Sequence, residues 1–183
     1  MLYLCEREIG FDPAAIGFPS VDGCRATVLV TGGGLFGFHL NGSLSQMKKD
    51  ALAHFVDSHT HGNPKRNLYV ASRMGGNGLT PEKCYSEIQE VAVSLAFNGS
   101  IYWVDLTSIA SSSLYVVFDN VGGNTCAITA RPWSDPSDGI PANRGAYVAA
   151  NRTMANGGPP GQMYTNVNPA GLRAVYPAKF KSQ

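Results

Sequence analysis

Three consecutive glycines, Gly32, Gly33 and Gly34, lie between two largely apolar runs, residues 24–31 and 35–40. Ala26, Thr27, Val28, Leu29 and Val30 on one side, and Leu35, Phe36, Phe38 and Leu40 on the other, favour extended backbone, and glycine tolerates the angles of a tight reversal. The pattern predicts a β-hairpin. A turn centred between Thr31 and Gly32 sets Cys24 opposite His39, with Cβ atoms roughly 4.5 to 5.5 Å apart. A centre one residue later, between Gly32 and Gly33, makes the two diagonal neighbours on one face, whereas an intermediate register sends them to opposite faces.

Either same-face register brings a thiol near an imidazole, the arrangement in which a base activates a nucleophile. A packed cysteine beside a structural histidine is the competing reading, because free cysteine is among the most buried residue types. Gly23, the triple glycine and the register together favour the catalytic reading.

The segment Val21-Asp22-Gly23-Cys24, with His39 following 15 residues after the cysteine, resembles the catalytic core of the cytotoxic necrotizing factor group of cysteine-dependent glutamine deamidases, shared with Burkholderia lethal factor and the chemotaxis receptor deamidase. Their motif is a hydrophobic residue, any residue, Gly and Cys. The resemblance covers residues 20–41, and extends over 48–131 only as a similar order of strands and helices. It implies that Cys24 is the nucleophile and His39 its partner. Several relatives carry a threonine six residues before the cysteine to orient the histidine, where this chain has Phe18. The orienting group is therefore open among Ser20, Asp22, Asp105, Asp119, Asn120 and a backbone carbonyl. The amides around Gly23 and Cys24 are candidates for an oxyanion hole, since glycine leaves an amide unshielded. A thiolate would attack the glutamine carboxamide, His39 would manage the proton, and water would release glutamate from a thioester. No cofactor or metal is needed. The same thioester serves a transglutaminase or a peptidase, and a non-catalytic protein-interaction domain is the alternative outside enzymes. By the resemblance, the substrate is a target protein such as a small GTPase or a translation factor, and the chain is a bacterial effector or toxin domain acting in the cytosol of a target cell.

Elsewhere, residues 1–19 read as an irregular arm or a short strand. Leu44, Met47, Leu52, Phe55 and Val56 recur at helical spacing in residues 43–58, with Ser43 or Ser45 as cap. Thr80 caps and Pro81 opens a second helix running to about Phe97. Strands are expected at 67–74, 101–107, 114–119 and 125–131. After Arg131 most of the 11 prolines appear, and a loop-rich wrap over 132–183 is expected, ordered near 133–152. Short strands are expected at 146–150 and 172–176, with Trp133, Tyr147, Tyr164 and Tyr176 docking the tail. The whole reads as one α+β domain, 1–183, with a core over about 20–131: a mixed or antiparallel sheet system, two main helices and a catalytic hairpin.

A net charge of +1 supplies no electrostatic footprint for nucleic acid. No apolar run reaches the length of a membrane span, and residues 1–8 lack the basic then apolar pattern of a Sec-type signal. Cys5, Cys24, Cys84 and Cys126 form no Cys-x-x-Cys pair, which argues against a zinc ribbon, and packing is expected for Cys84 and Cys126. Asp57, His59 and His61 could supply metal ligands, but their place at a helix end beside Gly62-Asn63-Pro64 reads as a solvated turn. Gly32-Gly33-Gly34 and residues 75–78 lack the Lys-Ser or Lys-Thr of a phosphate loop.

Overall fold

The computed structural model describes residues 1–75, 79–134, 144–145, 151–157, 163–164 and 167–180. In chain order the elements are β1 (Leu2–Tyr3), β2 (Glu8–Asp12), β3 (Ala15–Val21), β4 (Arg25–Thr31), β5 (Gly34–Leu40), α1 (Gln46–His59), β6 (Lys65–Ser72), α2 (Pro81–Ser94), β7 (Ser100–Asp105), β8 (Leu114–Asn120), β9 (Cys126–Pro132), β10 (Arg144–Gly145), β11 (Arg152–Met154), β12 (Met163–Tyr164), β13 (Arg173–Val175) and β14 (Ala178–Lys179). The fold is α+β, with mixed sheets and, among the described residues, two helices. A five-stranded sheet runs β1-β3-β8-β9-β13, a seven-stranded sheet runs β11-β2-β5-β4-β6-β7-β14, and β10 pairs with β12.

The two large sheets face each other across one core. Ile16, Phe18, Leu114, Val116, Phe118 and Ile128 from the first meet Ala26, Val28, Val30, Leu35, Tyr69 and Val104 from the second. The opposite face of the seven-stranded sheet, including Leu29, Phe36, Phe38, Leu68 and Val70, is covered by Leu52, Phe55 and Val56 of α1 and Cys84, Ile88 and Val91 of α2. A sheet covered on both faces needs apolar side chains at successive positions. This is why β4 and β5 are buried at every residue.

Each helix begins where expected. The Ser45 hydroxyl accepts the Lys48 amide at 3.4 Å, and Thr80 accepts that of Lys83 at 3.2 Å, each satisfying an amide that the helix leaves without a carbonyl. Helix α2 carries the chain from β6 to the parallel neighbour β7, and it ends at Ser94 rather than Phe97. Met47, expected on the buried face of α1, is exposed.

Residues 1–19 are more regular than an arm, since they form three strands. The Asp12 carboxylate accepts the amides of Ala14 and Ala15 at 2.8 and 2.9 Å, an Asx turn that reverses the chain from β2 into β3. Beyond Arg131, Trp133 packs with Tyr3, Tyr115 and Val117 on the outer face of the five-stranded sheet, and the Arg131 guanidinium lies over both the Tyr115 and Trp133 rings. Tyr176 does not dock and is exposed. Phe180 docks instead, stacked on Trp103 with ring centroids 5.9 Å apart. The strand expected at 172–176 is β13, while residues 146–150 and most of 133–152 lie outside the described residues.

Candidate catalytic site

The hairpin closes through the pair Thr31 and Gly34 around a two-residue loop, so its centre lies between Gly32 and Gly33. Thr31 reinforces the turn, its hydroxyl donating to Gly34 O at 3.0 Å and accepting the Gly33 amide at 3.2 Å. Gly34 is held at φ 144, and a Cβ there would fall 2.6 Å from Pro13 Cα, so glycine is required at that corner. In this register His39 opposes Ala26 and Leu40 opposes Arg25. Extending the ladder by one residue sets Cys24 across from Asn41. Cys24 and His39 are therefore the diagonal pair, both on the face turned toward the five-stranded sheet.

Cys24 follows the crossover from one sheet to the other. The pairing of β3 with β8 shifts between Phe18 and Val21, and within this bulge Ser20 adopts φ 62. The Asp22 amide donates back to Ser20 O at 3.0 Å, and Gly23, at φ 64, turns the chain into β4. A non-glycine residue in the left-handed region is strained, and such strain concentrates beside functional groups. The Cys24 thiol is 1% exposed, lies 3.5 Å from Asp22 O and donates toward Glu6 Oε1 at 3.8 Å. Burial first, and the Glu6 charge second, push the thiol up to about 12.

The imidazole of His39 is fully buried. Its Nδ1 lies 2.9 Å from Leu4 O. A carbonyl only accepts, so Nδ1 carries the proton and Nε2 is left with its lone pair. Nε2 is buried and has no hydrogen-bond partner among the described residues. Phe18 meets the ring edge-on with centroids 5.7 Å apart. Burial holds the imidazole below its ordinary pKa, so the resting pair is a neutral thiol and a neutral imidazole.

The approach of Leu4 depends on missing side chains. Gly10 and Gly37 oppose each other in the pairing of β2 with β5. A Cβ on Gly37 would fall 2.7 Å from Leu4 Cδ1, and one on Gly10 would fall 2.8 Å from Leu4 Cδ2. This glycine pair makes the trough in which Leu4 seats, bringing its carbonyl onto His39.

The group orienting His39 is thus a backbone carbonyl. Ser20, Asp22 and Gly23 lie in the turn before Cys24, and neither Ser20 nor Asp22 bonds the imidazole. Asp105 is occupied by Thr107, whose amide it accepts at 2.9 Å. Asp119 pairs with Ala15 and Asn120 donates to Pro13 O, roughly 20 Å along the sheet from Val21. Asp57 pairs with Lys65, and His59 stacks on Phe55 with its Nδ1 2.8 Å from Phe55 O, so the two side chains are engaged separately. Among the described residues no group of three ligating side chains converges on a metal position.

Leu4, Glu6 and Asn41 are the participants that sequence reasoning missed. Asn41 was within reach, because it lies two residues after His39 and so shares its face. The other two carry no local signal. A cavity of about 250 Å³ next to the turn that precedes Cys24 is lined by Asp22, Gly23, Arg25, Asn41, Leu79 and Lys83, with Gly42 and Ser43; Cys24 and His39 themselves do not line it. The loop at its rim is fixed by two cations: Lys48 Nζ donates to Asn41 O at 2.6 Å and Ser43 O at 2.7 Å, and Arg25 donates to Gly42 O at 2.8 Å while pairing with Glu87 at 2.6 Å. The sequence matches no protein-family model and no curated protein, and the fold matches no solved structure.

Proposed function

We propose that the protein is a cysteine-dependent protein-glutamine deamidase. The observation that carries this reading is the state of His39: its Nδ1 proton is committed to Leu4 O, and its Nε2 lone pair, on the face that also bears Cys24, is buried without a partner among the described residues. A buried acceptor left unpaired costs about 1 to 3 kcal/mol, and a general base must keep such a lone pair free to take a proton. The motif resemblance at Val21-Asp22-Gly23-Cys24 supports the same assignment.

In this mechanism a glutamine side chain of the target protein enters through the cavity beside Gly23. As Cys24 Sγ attacks the carboxamide carbon, its proton passes to His39 Nε2, and the oxyanion is met by the amides of Gly23 and Cys24. The C–N bond breaks as the imidazolium returns the proton to the departing nitrogen, which leaves as ammonia. Water, deprotonated by His39, then cleaves the thioester to glutamate and restores the thiol. Since both groups rest neutral, attack couples to proton transfer instead of drawing on a standing thiolate. The resemblance supplies the substrate class, a small GTPase or translation factor in the cytosol of a target cell, as part of the proposal. Among the described residues no helix is long and apolar enough to cross a membrane.

A second reading has its own observation: a thiol that is 1% exposed and shifted up to about 12 suits a packed cysteine in a non-catalytic interaction domain. Mass spectrometry of candidate GTPases and translation factors, treated with wild type and with Cys24→Ser, decides between them. Deamidation adds about one dalton at one glutamine and requires Cys24. Cleavage indicates a peptidase, and amine incorporation a transglutaminase. Unchanged candidates together with a Cys24 that resists alkylation in every variant support the interaction domain.

A further inference from the structure

Glu6 has no role in the mechanism above, yet its carboxylate is in polar contact with the Cys24 thiol, alongside the backbone carbonyl of Asp22. It sits in a β-turn closed by the Glu8 amide donating to Cys5 O at 3.1 Å, with Arg7 in the left-handed region at φ 70. The turn is pinned on both sides of Glu6. The Arg7 amide donates to His39 O at 2.8 Å, the Cys5 amide donates to the Glu8 carboxylate at 2.7 Å, and Arg152 lies 3.5 Å from that carboxylate. From this fixed base the Glu6 carboxylate reaches into the site. Oε1 takes the thiol at 3.8 Å, and Oε2 accepts from Asn41 Nδ2.

A carboxylate is a poor neighbour for a nucleophile, because its charge resists formation of the thiolate. In shape, however, it matches the group the enzyme would act on. Glutamate and glutamine share the same two-methylene arm and planar head, with one oxygen replaced by an amide nitrogen. Glu6 thus presents to Cys24 and Asn41 a head of the kind left by deamidation. Asn41 is built for such a task. Its backbone and that of the next two residues are immobilised by Lys48 and Arg25, it stands across from Cys24 in the extended ladder, and its side-chain amide bonds Glu6.

We propose that Glu6 is an internal stand-in for the glutamate product, filling the subsite of the substrate's glutamine side chain, and that Asn41 is the residue that binds the oxygen of that side chain. This rests on the deamidase reading. The subsite opens by rotation of the Glu6 side chain, since the turn backbone is held. Rotation removes both the steric block and the charge beside the thiol. An asparagine side chain entering along the same path is one methylene shorter and cannot hold Asn41 while meeting the sulfur, so the subsite selects glutamine.

Glu6→Gln in the full chain makes the protein its own substrate and needs no identified target. Attack of Cys24 on the new side-chain amide, loss of ammonia and hydrolysis of the thioester restore the encoded glutamate. Peptide mass spectrometry should therefore show a gain of about one dalton at residue 6 over time, absent when Cys24→Ser or His39→Ala is added. Adding Asn41→Ala should slow this conversion about tenfold or more. In Glu6→Ala, alkylation of Cys24 by iodoacetamide at neutral pH should rise about tenfold over wild type and fall again with His39→Ala. A stable amide in Glu6→Gln, combined with that rise in Glu6→Ala, overturns the stand-in and leaves the deamidase reading standing. Conversion indifferent to Asn41→Ala overturns the role of Asn41. An inert Cys24 in every variant overturns both the stand-in and the deamidase reading.

Discussion

At His39 the chain gives up stability to keep a base neutral. Its pKa in the fold lies below its ordinary value of 6.5 because burial disfavours the imidazolium. The unfolded chain therefore takes up a proton first as pH falls through about 6.5, and stability drops by up to about 1.4 kcal/mol per pH unit until the folded group also titrates. Urea unfolding at pH 7 and pH 5 should show this loss, reduced in His39→Gln. Cys24 titrates in the opposite range. A thiol moved from 9.0 to about 12 holds roughly a thousandfold less thiolate near neutrality than an ordinary one. In the wild type, iodoacetamide at pH 8 should modify Cys24 far more slowly than a small free thiol, with a rate that keeps rising beyond pH 10.

The strands carry the geometry on which the pair depends. The hairpin of β4 and β5 gives Cys24 and His39 a common face, and the crossed glycines of β2 and β5 admit Leu4. Gly37→Ala places a methyl 2.7 Å from Leu4 Cδ1 and 3.0 Å from Ile16, overpacking that costs about 1 to 3 kcal/mol. The expected result is a lower thermal midpoint together with weakening of the Nδ1 bond to Leu4 O, visible as an altered imidazole tautomer balance by nitrogen NMR. A lower midpoint with an unchanged tautomer would remove the trough from the account of the site. Much of this scale was legible in the residues themselves. Thr80-Pro81 marked the start of α2, and the triple glycine marked the turn. The choice between two registers one residue apart was not legible, because three glycines permit either centre, and the decision falls to Thr31 and to the close approach of Pro13 at Gly34.

Over the whole molecule, the site is assembled from segments distant in the chain. Leu4 and Glu6 come from the link between β1 and β2, His39 from β5, and the anchor of their turn from β11. Arg152 donates to Tyr3 O at 3.0 Å and neighbours Glu8, with both side chains 2% exposed. Burial outweighs the arginine at Glu8, whose pKa is raised, so the pair serves more to fix the turn than to stabilise the fold. Removing one partner of a buried pair still leaves the other uncompensated. Arg152→Ala should cost about 3 kcal/mol in urea unfolding, partly offset if Glu8 takes up a proton, and should release the turn so that alkylation of Cys24 accelerates. Destabilisation without that acceleration would mean that the turn holds without β11.

What the sequence determined by itself is local: strand content from β-branched and apolar runs, helix starts from the serine and threonine caps, and the reversal at the triple glycine, with the shared face of Cys24 and His39 following once the turn centre is fixed. Each follows from interactions within a few residues. The tertiary structure decided which carbonyl orients the imidazole, which carboxylate lies on the thiol, and how deeply both are buried. Those outcomes depend on the order of strands in the sheets and on the packing of Leu4 between Gly10 and Gly37. Contacts between residues 35 positions apart, as between Leu4 and His39, leave no periodic trace in the chain.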